Sequence, residues 1–153
     1  MIKATGRGIA ALLALVSLLA AASPAAAVEE ADTVVFAVPL SGVDPEGAGI
    51  AVLRLDQATG ELCYEIVVRG IGEPTEPQPG LGSAHIHLRA TGGIAVHLEA
   101  DFVQAGEADV FVASNCVQVD AETLEAILAD PSAFYVNIHT MEFPGGAIEG
   151  TLG

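Results

Sequence analysis

Between Thr33 and Leu152 the chain runs as short stretches in which apolar and polar side chains alternate, each ended by turn-forming Gly, Pro, Asp or Thr residues. A period of two belongs to a strand with one buried and one wet face. The candidate strands are Thr33 to Leu40, Gly49 to Leu55, Glu61 to Arg69, Ala84 to Ala90, Ile94 to Ala100, Asp109 to Ala113, Ala133 to Thr140 and Ala147 to Leu152. Asp56-Gln57-Ala58-Thr59-Gly60 and Thr91-Gly92-Gly93 read as hairpin turns, with Gly60 supplying positive φ. One segment breaks the pattern: from Ala121 to Ala129 the residues Leu124, Ile127 and Leu128 recur at helical spacing, Asp120 serves as N-cap, and Pro131 stops continuation. The pattern predicts an all-β fold, an antiparallel Greek-key β-sandwich of about eight strands with one short helix across an end.

The N-terminus indicates where this domain works. Lys3 and Arg7 precede an apolar run from Ile9 to Ala22, and Ala25-Ala26-Ala27 provides small residues for cleavage before Val28, so residues 1-27 read as a secretory signal peptide and 28-153 as the mature domain. A membrane anchor needs about 18 or more apolar residues. This run is shorter and ends in Ser23-Pro24, so no membrane anchor is expected and the destination is secreted or periplasmic. The remaining 126 residues suit one domain. They keep three arginines against 20 acidic residues, a formal charge of −17 that repels phosphate backbones and anionic lipid and makes nucleic acid an improbable partner. Cations, or a basic surface on an extracellular ligand or protein, stay open as partners. The acids are dispersed and form no Asp-x-Asp-x-Asp-Gly calcium loop. Cys63 and Cys116 are the only cysteines, and in an oxidising compartment the pair is expected as a structural disulfide.

Three of the four histidines lie in two strand-like runs, Ala84-His85-Ile86-His87 and Tyr135-Val136-Asn137-Ile138-His139-Thr140. Strand parity points His85 and His87 to one side, and likewise Asn137 and His139. The Pro-rich stretch Glu73 to Gly80 cannot join a ladder and reads as a surface loop just before the first run. Gly145-Gly146, after Phe143-Pro144, is expected to serve backbone conformation at the entry to the last strand.

These motifs, taken in order with Leu62-Cys63-Tyr64-Glu65, Cys116, Asp130-Pro131 and Phe143-Pro144-Gly145-Gly146-Ala147-Ile148, resemble the secreted bacterial CHRD (chordin) domain proteins over about residues 33 to 152. The chain departs from that pattern at its end. The family's Arg-Gly-Gln-Leu is here Glu149-Gly150-Thr151-Leu152, so an arginine has become an acid. Near the start, Leu40-Ser41-Gly42 is kept but is followed by Asp44-Pro45-Glu46.

The family name does not explain the histidines, and their chemistry leaves three readings. The first is structural: hydrogen bonds from His85, His87 and His139 to carbonyls, Asn137 or Arg89. The second is a metal site, because on one strand face His85 and His87 stand roughly 6.5 Å apart at Cα, within chelating reach if a neighbouring strand brings up His139. Imidazoles suit copper or zinc. The third, acid-base catalysis, ranks last because no serine or cysteine carries a nucleophile motif. The residues therefore favour a non-enzymatic binding or structural module, with a copper or zinc protein of weak redox activity, distantly superoxide dismutase-like, as the alternative. His97 reads as an exposed residue with Ile94, Val96 and Leu98 facing the core, and Tyr64 reads as core.

Overall fold

The computed structural model describes residues 32–76, 78–106 and 109–153. The expected signal peptide, residues 1–27, lies outside them. The strands are β1 (Thr33–Leu40), β2 (Ala48–Asp56), β3 (Glu61–Arg69), β4 (Ala84–Leu88), β5 (Gly93–His97), β6 (Val103–Gln104), β7 (Val110–Gln118), β8 (Phe134–Ile138) and β9 (Ile148–Thr151), with one helix, α1 (Ala121–Ala129), between β7 and β8. They form two antiparallel sheets, ordered β1-β2-β3-β7-β6 and β5-β4-β8-β9. The protein is an all-β sandwich with one short helix. The chain changes sheet after β3, after β5 and through α1 after β7.

Alternation explains the core. Leu62, Tyr64, Ile66 and Val68 of β3 are at most 2% exposed, while Glu61, Glu65, Val67 and Arg69 between them face out. Facing them from the second sheet, Ala84, Ile86, Val136 and Ile138 are fully buried. Burying such side chains contributes about 1.5–3 kcal/mol each, the main force holding the sheets together. Asp120 caps α1, its carboxylate accepting from the Thr123 N–H at 3.0 Å, and Leu124 and Ile127 turn inward.

Several features differ from the sequence expectation, among them that β4, β5 and β8 end at Leu88, His97 and Ile138, short of the expected Ala90, Ala100 and Thr140. Strand β7 does not end at Ala113 but continues to Gln118, because Ser114 and Cys116 take outward positions opposite Glu65 and Cys63 and keep the ladder going. The short strand β6 pairs with β7 and makes nine strands among the described residues in place of the expected eight. In β5 a register irregularity opposite Ile86 and His87 skips Ala95, so Ile94 pairs with His87 and is 37% exposed instead of facing the core.

Cys63 and Cys116 are register partners on β3 and β7 and form a disulfide, S–S 2.04 Å. It joins neighbouring strands within one sheet, on the outward face.

A buried three-histidine candidate metal site

Strand β4 lies in the middle of the smaller sheet, between β5 and β8. Ala84 and Ile86 enter the core, so parity sends His85 and His87 to the outer face. Across the β4–β8 register His85 meets Asn137 and His87 meets Tyr135. His139, one residue beyond β8, prolongs that ladder through its N–H to the Ser83 carbonyl at 2.9 Å. The outer face of such a sheet is ordinarily wet. Here it is covered. The segment leading into β4 lays its Leu81 carbonyl on His85, and the turns at Gly92 and Pro144 bring carbonyls onto His87 and His139, while Pro74 and Thr75 pair edge-on with Thr140 and His139 beyond the end of β8. His85, His87 and His139 are consequently only 1%, 8% and 5% exposed.

Each ring spends its proton on a backbone carbonyl. His85 Nε2 bonds the Leu81 carbonyl, His87 Nδ1 the Gly92 carbonyl at 3.0 Å, and His139 Nδ1 the Pro144 carbonyl at 3.1 Å. A carbonyl only accepts, so each of these nitrogens carries an N–H. The three remaining nitrogens are His85 Nδ1, His87 Nε2 and His139 Nε2, and each presents a lone pair when its ring is neutral. His85 Nδ1 stands 3.0 Å from His139 Nε2, and His87 Nε2 is buried without a hydrogen-bond partner. The three residues each place one ligand nitrogen within 4.8 Å of the others.

Nitrogens as close as those of His85 and His139 need a proton or a metal ion between them. A proton is disfavoured: burial, foremost, and the neighbouring imidazoles pull His139 down from the usual 6.5 to about 4. His85 is shifted down as well, by burial first and then by His87 and His97, against the Leu81 hydrogen bond. A metal ion fits the donor set. Neutral imidazoles whose second nitrogens are fixed by backbone carbonyls are the usual arrangement of histidine ligands and their supporting shell.

The motif residues around the site support it. The Asn137 side-chain N–H donates to the Gly145 carbonyl at 3.2 Å, tying down the turn that carries the Pro144 carbonyl. Gly146, at φ 120°, lies against the Asn137 amide so closely that a Cβ would overlap it. Gly146→Ala is expected to cost about 2 kcal/mol or more of stability and to weaken any metal response, because the turn holding His139 must move; urea unfolding with and without zinc measures both.

Some functional neighbours escape sequence reasoning. Tyr135 stacks on His87, ring centroids 5.2 Å apart, and the Arg89 guanidinium lies 4.8 Å from the Tyr135 ring centre. Strand parity with Asn137 was the available signal for Tyr135. The carbonyls of Leu81, Gly92 and Pro144 are backbone groups and leave no mark in the sequence. Glu149, where the family pattern has arginine, lies 3.8 Å from Arg89. His97 is exposed, and its Nδ1 shares the Leu81 carbonyl at 3.2 Å. Glu61, Cys63 and Cys116 also cluster, but both sulfurs are committed to the disulfide.

Fold and site together define a disulfide-linked antiparallel β-sandwich with a histidine cluster sealed beneath its own loops. The family model of the CHRD domain matches residues 25–152, and the chain belongs to that family. No curated protein and no solved structure matches the chain. Among the described residues no helix is long and apolar enough to cross a membrane.

Proposed function

We propose that this CHRD module is an exported, non-enzymatic binding protein, and that His85, His87 and His139 are its metal site, taking zinc or copper. One observation carries the reading: three buried imidazoles have committed their protons to carbonyls and direct their lone pairs at one another. Purely structural histidines would pair donor with acceptor, whereas here His87 Nε2 is left orphaned at a cost of about 1–3 kcal/mol.

Export is supported by the charged-then-apolar N-terminal segment with its small-residue cleavage site, by the extracellular setting of CHRD domains, and by a disulfide that fits an oxidising compartment. Burial of the three rings argues against a redox enzyme, which needs a ligand position open to substrate.

The test is titration calorimetry on protein purified from metal-free medium, with zinc and with copper(II), backed by elemental analysis after gel filtration. One ion per chain, lost in His87→Ala, is expected. Absence of binding in the wild type at neutral pH would overturn the reading and leave the histidines as sheet-organising residues.

A further inference from the structure

The outward face of the five-stranded sheet is built unlike the rest of this acidic surface. Register places Pro39, Ile50, Val67, Val112 and Val103 side by side across β1, β2, β3, β7 and β6. Ile50 is 44% exposed, Val67 43% and Val103 57%. Ala37 and Val52 form the adjoining pair, and Val35, 57% exposed, follows along β1. A sheet with one wet face normally carries polar residues there, and a continuous apolar patch marks a surface made to be covered.

Charge selects the occupant. The chain after the expected signal peptide has three arginines against 20 acids, yet the outward positions of these strands carry Arg54 and Arg69 against only Asp56, Glu61 and Glu65. Arg54 and Glu65 are themselves paired at 3.3 Å. Two copies of so acidic a chain repel one another over most of their surface and least of all here. We propose that this face packs against the same face of a second copy, sheet on sheet, as a two-fold dimer independent of the histidine site.

Strand spacing and rise give the whole outward face, apolar row and flanking polar residues together, about 20 by 28 Å, so about 1,100 Å² is covered in all if the full face engages, close to the lower bound of a specific interface. The dimer is therefore weak, and the acidic charge outside the contact opposes it until salt screens that repulsion.

The experiment is sedimentation velocity on the exported, metal-free protein, from about 10 µM to about 1 mM, at about 0.05 M and about 0.5 M NaCl. A dimer that tightens several-fold with salt is expected. The double variant Ile50→Gln, Val67→Gln changes exposed residues only, and it should weaken the dimer about tenfold or more while keeping the thermal midpoint. Met141→Gln, which alters an 83% exposed apolar residue off this face, should leave it unchanged. A monomer throughout, a dimer that loosens as salt rises, or a double variant that associates as the wild type does would each overturn the proposal.

Discussion

Taking the metal-free protein from pH 7 to pH 4 is expected to remove about 3 kcal/mol of folding stability. The sign follows from the two buried imidazoles. His139 is pulled down to about 4 and His85 is shifted in the same direction, while both titrate near 6.5 once unfolded. Between those values the unfolded chain takes protons that the folded chain refuses, so stability is complete above about pH 6.5 and drains away as the pH falls towards 4. The Asp120 carboxylate, held below its usual 3.8 by the Thr123 amide and hydroxyl, keeps its stabilising effect through that window and loses it only at lower pH. Urea midpoints at several pH values measure the loss. Stability that holds or rises on acidification to pH 4 would mean that a proton already bridges His85 and His139, and that the cluster is a hydrogen-bonded pair.

The second large effect separates stability from function at one residue. His87→Phe keeps a ring against Tyr135 and removes the orphaned Nε2 together with the hydrogen bond to the exposed Gly92 carbonyl, so the two terms offset and the metal-free fold is expected to hold its stability to within about 1 kcal/mol. The same change removes a ligand. In the wild type, zinc at 100 times its dissociation constant adds about 2.7 kcal/mol, and this increment should vanish in the variant. Thermal unfolding of both proteins, with and without zinc, reads the two effects together. A large loss of metal-free stability in His87→Phe, with no zinc response in the wild type, would assign His87 to holding the sheet.

How far the sequence foretold this arrangement depends on where the determining forces lie. β1 and β3 were legible to the residue, β1 as a β-rich run closed by the turn residues after Leu40 and β3 because Leu62, Tyr64, Ile66 and Val68 alternate with Glu61, Glu65 and Arg69. The helix was equally legible, since Asp120, the Leu124 and Ile127 spacing and Pro131 are local signals. β7 was cut short because Ser114, Asn115 and Cys116 break the apolar rhythm, and only pairing with β3 restores it. The displacement of Ile94 depends on the pairing of β5 with β4, which no local pattern encodes.

The site divides the same way. Parity put His85 and His87 on one face and Asn137 with His139 on another, and the pairing of β4 with β8 brings the two together. Their burial was hidden, because it comes from the turns that carry Leu81, Gly92 and Pro144 closing on a face that alternation marks as polar. The choice between structural and metal-binding histidines was hidden for a related reason. It turns on which nitrogen faces a carbonyl, and the carbonyls of Leu81, Gly92 and Pro144 would be there whatever side chains those positions carried.

The protonation state of each ring nitrogen is therefore the property to measure, by long-range proton–nitrogen NMR of the histidine side chains at neutral pH before and after one equivalent of zinc. Neutral rings are expected, protonated at Nε2 in His85 and at Nδ1 in His87 and His139, with zinc shifting the signals of His85 Nδ1, His87 Nε2 and His139 Nε2. A doubly protonated ring in the metal-free protein, a proton on His87 Nε2, or nitrogen signals indifferent to zinc would contradict a metal site at these three residues.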